Sequence, residues 1–180
     1  MQHRREFDIA FVGLAPGEHY FQYIVRDEFF VPFGKQDFEK CNANVKLTLE
    51  KNTNFMQLKF DVDGSVESSC DRCGNTLTIQ LWDEFKMIVK LVDNPEEMNN
   101  SEEDPDIYYI NKTESILSIA NWVYEFVLLS IPMQKECAKN ANGESNCNTE
   151  VLAMIQKMEL DSANAENPIW EGLAKFKKLD

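Results

Sequence analysis

Four cysteines carry most of the chemistry this chain can offer. Cys70-Asp71-Arg72-Cys73 sets two thiols two residues apart in a turn flanked by Gly74 and Asn75, and Cys137 and Cys147 supply a second pair. Two thiolates at the first spacing can bite one metal ion, and two more sulfurs complete the tetrahedral set that zinc favours. Nine residues separate Cys137 from Cys147, against about two to four between the paired ligands of compact zinc sites, yet a longer loop adds little closure entropy. The alternatives are spare, unmetallated thiols and a redox-active pair. A redox dithiol normally opens a helix in a βαβ setting, which Cys70 and Cys73 lack. Cys41 is left over and reads as a buried, inert thiol. The expected cofactor is therefore a structural zinc ion held by Cys70, Cys73, Cys137 and Cys147.

Other chemical signatures are absent. His3 and His19 are the only histidines, and neither has a ligand or triad partner at useful spacing. The chain contains no nucleophile elbow, no Walker loop and no dinucleotide-binding glycine pattern, which argues against a nucleotide-dependent enzyme. Carboxylates are abundant, but no spacing singles out an acid/base pair. No catalytic and no cofactor-binding residue is assigned, and a non-enzymatic protein is expected.

The elements that must position the cysteines follow from hydrophobic periodicity. Phe7, Ile9 and Phe11 alternate with polar or small residues. Val45, Leu47 and Leu49 do so too, as do Met56, Leu58, Phe60 and Val62. This is the period of half-buried strands. Asp63-Gly64 is a strong hairpin signal. Leu77, Ile79 and Leu81, then Phe85, Met87, Val89 and Leu91, continue the sheet on the far side of the thiol turn. Asp93 to Asp106 holds seven acids and no base and has no apolar period, so it reads as a solvated, mobile loop. Ile107 to Ile110 reads as a short strand. Asn111 and Glu114 have capping-box spacing, and Ile116, Ile119, Val123, Phe126 and Val127 trace a helix face that Pro132 ends. Val151, Leu152, Ile155, Met158 and Leu160 suggest a shorter second helix, and Asn167-Pro168 a last helical start. Phe29, Phe30, Phe33 and Phe38 read as packing residues in preference to a base-stacking platform, and Trp82, Trp122 and Trp170 as core or docking residues. The expected fold is α+β: an antiparallel sheet, open or barrel-like, with one long packing helix and a short helical C-terminal tail.

With 180 residues and 43% hydrophobic content, the chain can bury a real core, and one domain over 1–180, or two intimate subdomains, is the natural count. Residues 1–110 are mainly β and 111–180 mainly helical. The basic start, Met1 to Glu6, is not followed by a usable signal-peptide core, and the apolar stretch within Ile116 to Ile131 contains Asn121 and Glu125, short of the roughly 20 residues a span requires. A cytoplasmic protein without membrane association is expected. The net charge of −13 disfavours binding driven by phosphate neutralisation, and DNA is excluded as a partner on that ground. Setting aside the acidic segment leaves −6, so a basic protein is the easier partner.

Taken together, Cys70-Asp71-Arg72-Cys73 between strands, Glu125 to Met133 ending in Leu129-Ser-Ile-Pro-Met133, the cysteines after it, and Asn167-Pro-Ile-Trp170-Glu-Gly-Leu173 resemble the YceD-like large ribosomal RNA subunit accumulation protein family. The resemblance runs over roughly residues 10 to 178 in the order of its elements. It implies a non-catalytic cytoplasmic factor supporting accumulation or processing of large-subunit ribosomal RNA, with a ribosomal protein or large-subunit precursor as partner. Direct RNA contact stays open, Lys175 to Lys178 being the local basic stretch. The family pattern carries over to the four cysteines as metal ligands. The competing functions are a thiol-dependent oxidoreductase and a zinc-stabilised interaction module unrelated to ribosomes.

Overall fold

The computed structural model describes residues 5–141, 143 and 145–164. The chain divides into two compact units: one holds the residues up to Ser68 together with Thr78–Met133, the other Ser69–Leu77 with the residues from Gln134 on.

The first unit is a sheet with one apolar face. Its strands are β1 (Asp8–Ile9), β2 (Gly17–Arg26), β3 (Phe38–Lys51), β4 (Phe55–Ser69), β5 (Thr76–Val92), β6 (Ile107–Asn111) and β7 (Leu117–Ser118), the ends of β4 and β5 running into the second unit. Five of them form one sheet in the order β2-β3-β4-β5-β6, and β1 pairs with β7 in a small separate one. The α+β class stands. The large sheet is open and does not close into a barrel, because β2 and β6 lie at opposite edges without pairing. β3 is antiparallel to both of its neighbours, β2 and β4, whereas β6 joins β5 in parallel, from Ile88 opposite Ile107 to Val92 opposite Asn111. A parallel neighbour requires a crossover, and the acidic segment provides it.

That segment is not a featureless loop. It contains helix α2 (Pro95–Ser101), with proline in the first turn and Glu96 and Glu97 near its N-terminus, where the helix dipole favours acids. Asn99 ties it to β6 by accepting from the Tyr109 N–H at 2.8 Å and donating to the Tyr109 carbonyl at 2.9 Å. A single side chain thus replaces one residue's worth of strand pairing.

Apolar residues spaced by two enter the core from β3 and β4: Val45, Leu47 and Leu49, and Met56, Leu58, Phe60 and Val62, are all almost fully buried. Helix α3 (Ala120–Leu129) covers this face. Phe126 stacks on Phe85 with centroids 4.4 Å apart and meets Phe60 edge-on at 5.0 Å. Ile119, Val123, Phe126 and Val127 are buried as the helical spacing requires, but the helix starts later than that spacing suggests. Leu117 and Ser118 are taken up as β7 by pairing with Ile9 and Asp8, leaving Ile116 exposed. Asn111 and Glu114 form no capping box. The Asn111 side chain instead accepts from the Thr113 N–H and hydroxyl, closing a turn.

The aromatic cluster is packing. Phe29 and Phe30 lie in α1 (Asp27–Phe30), and they and Phe38 are buried edge-on or tilted against one another, while Phe33 stacks on Tyr124 at 4.1 Å. Trp122 packs against the core, but Trp82 is 87% exposed, which overturns its reading as a core residue. Trp170 lies outside the described residues. Cys41 is buried beside the Val25 carbonyl, and burial pushes its thiol up to about 11.

Asp63-Gly64 is no hairpin turn, since β4 runs straight through it with Ala43 opposite Gly64. The turn into β4 lies earlier, where the Asn52 N–H meets the Phe55 carbonyl. Gly64 has φ of 138°, and a Cβ there would sit 2.2 Å from the Asn42 carbonyl oxygen, beside the register shift between Glu39 and Asn42. The bulge brings two backbones too close for any side chain. Gly64→Ala is therefore expected to lower unfolding stability by about 3 kcal/mol or more, read as a fall in urea midpoint with an unchanged far-ultraviolet spectrum at low denaturant.

Candidate metal centre

The second unit is built around sulfur. Within it, the four sequence-predicted ligands come together: Cys70, Cys73, Cys137 and Cys147 are all buried, and their sulfur atoms lie within 4.8 Å of one another. Cys70 Sγ is 3.9 Å from Cys147 Sγ, and Cys73 Sγ 3.6 Å from Cys137 Sγ. A tetrahedral thiolate site with metal–sulfur bonds of about 2.3 Å has edges of about 3.8 Å. Disulfides would need roughly 2.0 Å, and all five cysteines are free. The donor set, its spacing and its burial fit a soft or borderline metal ion.

Two backbone devices make the first pair. Gly74 sits at φ of 75°, which a side chain rarely tolerates, and its N–H reaches back to the Cys70 carbonyl at 2.9 Å. The Cys70 N–H bonds the Asn75 carbonyl at 2.7 Å, closing the turn at its base. The second pair depends on the chain between Cys137 and Cys147 folding back on itself. Lys139 and Ser145 form an antiparallel bridge, the Asn146 N–H meets the Ala138 carbonyl, and the Gly143 N–H meets the Asn140 carbonyl. The described residues between Cys137 and Cys147 form a small bridged hairpin whose base holds both cysteines. Their separation in sequence therefore does not separate them in space.

A second clip joins turn and hairpin segment directly. The Asp71 N–H donates to the Lys135 carbonyl and its carboxylate accepts from the Lys135 N–H, both at 2.7 Å, with the Lys135 ammonium 3.9 Å from the other carboxylate oxygen. Asn148 then caps helix α4 (Thr149–Asn164), its side chain accepting from the Glu150 and Val151 N–H groups. Val151 and Leu152 from the first turn, with Leu77, pack against the cysteine cluster. Asp71, Lys135 and Asn148 are not marked by the cysteine spacing, although an Asn before Thr-Glu-Val at a helical start is an ordinary capping signal.

Helix α4 is longer than α3, 16 residues against 10, reversing the expected order of lengths. Beyond its first turn its apolar positions are not buried, since Met154, Met158 and Leu160 are all more than half exposed. The Asn167-Pro168 start and Lys175 to Lys178 lie outside the described residues. Among the described residues, His19 Nε2 lies 2.8 Å from the Ala15 carbonyl on the surface and ligates nothing.

The electrostatics of the sulfurs are uneven. Burial raises the Cys70 thiol, but backbone N–H groups of Arg72, Cys73 and Cys137 and the Cys73 side chain outweigh it and bring it down to about 6. Burial, reinforced by the neighbouring sulfurs, pushes Cys137 up to about 12. Four sulfurs this close cannot all carry charge without a cation among them.

A small α+β protein with a buried tetrathiol cluster, rimmed by turn and hairpin, belongs to the class with a thiol-rich centre that could hold a metal ion. Its family is identified by the family model of the large ribosomal RNA subunit accumulation protein YceD, which matches residues 58–177, and the chain belongs to that family. The matched span starts later than the roughly residue 10 suggested by the order of motifs, and it includes all four cysteines. No curated protein and no solved structure matches the chain. Family membership implies a role in accumulation of large-subunit ribosomal RNA.

Removing the Asp71 clip should loosen the centre selectively. Asp71→Ala is expected to accelerate alkylation of Cys70 and Cys73 several-fold in metal-free protein while Cys41 stays protected, read by mass spectrometry of the labelled peptides.

Proposed function

We propose that this chain is a non-catalytic factor in large ribosomal subunit biogenesis, in which Cys70, Cys73, Cys137 and Cys147 hold a structural zinc ion. The observation that carries the reading is the match over residues 58–177 to a family described by large-subunit ribosomal RNA accumulation, coincident with sulfur spacings near those of a tetrahedral thiolate site. Zinc is favoured over redox chemistry because all four sulfurs are buried, whereas a reactive thiol needs access to its substrate. The ion would be structural, as every candidate ligand is a cysteine and none of the four positions is left open for water.

Bound zinc neutralises the clustered thiolates and links the β4–β5 turn to the segment after α3. In small zinc peptides such binding supplies about 10 kcal/mol or more of apparent free energy. That is an upper guide, because the first unit has an apolar core of its own. The net charge of −13 favours a basic ribosomal protein or a protein-bearing precursor over naked RNA as the partner. No helix among the described residues is long and apolar enough to cross a membrane.

Native protein is expected to carry one zinc per chain by metal analysis, and Cys70→Ser with Cys73→Ser to abolish it. Depletion of the protein should lower mature large-subunit ribosomal RNA and the large-subunit peak in sedimentation profiles. The double variant should fail to restore that peak. Unchanged profiles on depletion would overturn the ribosomal reading.

A further inference from the structure

The five-stranded sheet has two edges, and the chain treats them differently. At β6 the N–H and carbonyl of Tyr109 are both taken up by the Asn99 side chain of α2, so another strand could add there only by displacing the helix. At β2, among the described residues, no turn or loop backbone group bonds to residues 17–26. The Cys41 thiol near the Val25 carbonyl comes from β3, the strand with which β2 already pairs. An edge of this kind presents a row of backbone donors and acceptors to any strand that can align with it.

The usual protections of an edge are missing. β2 is ten residues long and contains no proline and no lysine, and its pairing with β3 runs without a register shift from Gly17 to Arg26. Its outer face leaves Tyr20 71% and Ile24 64% exposed, while Phe21 and Tyr23 on the core face are only half-buried. Apolar side chains therefore border the open edge on both faces. Glu18 accepts from the Tyr20 hydroxyl, and Arg26 makes no ion pair among the described residues. These two charges cancel, so the strand is neutral in a chain of net charge −13.

We infer that β2 is the contact strand of a two-fold symmetric homodimer, pairing antiparallel with β2 of a second copy and with Gln22 at the axis. The symmetry of the outer row selects a second copy over a foreign strand: acid and base lie equally far on either side of Gln22, as do Tyr20 and Ile24. Directly opposite residues of an antiparallel pair share a face. Glu18 therefore meets the partner's Arg26, and Tyr20 the partner's Ile24, each pair occurring twice by the two-fold. On the core face Phe21 meets the partner's Tyr23. Opposite charges and aromatic–aliphatic neighbours are the cross-strand pairs that stabilise a sheet. The interface is isologous, and with Asn99 occupying the β6 edge the assembly closes at two copies.

Sedimentation velocity of the full chain over a concentration series tests this, the mass being expected to rise from that of one chain to that of two. Glu18→Arg alone and Arg26→Glu alone set like charges opposite each other at both ends, and each is expected to weaken self-association about threefold to thirtyfold. An equimolar mixture of the two variants should recover pairing, because both ends of the mixed dimer again join an acid to a base. Ile24→Lys, on the exposed face, should give a monomer with an unchanged far-ultraviolet spectrum. Met154→Lys, which alters an exposed apolar residue on α4, should leave the dimer intact. A chain that sediments as one copy at every concentration, a mixture that pairs no better than either variant alone, or a dimer lost in Met154→Lys and kept in Ile24→Lys would each overturn the inference.

Discussion

Sulfur crowding governs the second unit of this protein. Its buried positions among the described residues are the four cysteines, with only Leu77, Val151 and Leu152 packed partly against them. Apolar burial on that scale is far below what holds a small fold together without help. Thiols brought within 4.8 Å of each other are costly if they ionise in isolation and stabilising if a cation joins them. The hydrogen bonds around the cluster, from Gly74 to Cys70 and between Asp71 and Lys135, are consistent with that constraint. They fix backbone where side-chain packing is too thin to do so.

The first unit follows different physics. Its stability comes from alternating apolar residues on long strands and from the aromatic contacts of α3 with Phe60 and Phe85. At Gly64 strands β3 and β4 come too close for a side chain, next to the register shift between Glu39 and Asn42, and glycine accommodates the approach. One unit is therefore organised by area removed from water and the other by a handful of directional contacts. Two such units respond to different insults: denaturant and core truncation for the first, chelation and thiol modification for the second.

Much of this was legible in the residues themselves. Period-two runs mark β3, β4 and β5 because a half-buried strand has no other way to separate its faces, and the cysteine pairs mark the centre because few other needs place thiols in a turn. The misread elements share a cause. Asp63-Gly64 has the chemistry of a hairpin, yet glycine is there for a close backbone approach, and local sequence does not distinguish the two demands. Leu117 and Ser118 fit a helix face, but β1, more than a hundred residues earlier in the chain, claims them. α2 hides in an acidic run because its stabilising partner is Tyr109 on a neighbouring strand, not an apolar stripe of its own. Trp82 reads as core or docking by residue type, and its outward position on β5 removes the core alternative.

The small hairpin between Cys137 and Cys147 has a further consequence for recognising related proteins. Because the Lys139–Ser145 bridge sets the mouth of the hairpin, residues added or lost at its far end would leave the two sulfurs facing one another. Searches keyed to a tight interval between the last two ligands would then pass over such chains, and an alignment gap in this stretch is weak ground for denying a homologue its centre. What relatives should share is the ladder at the mouth, with the arc beyond it free to drift.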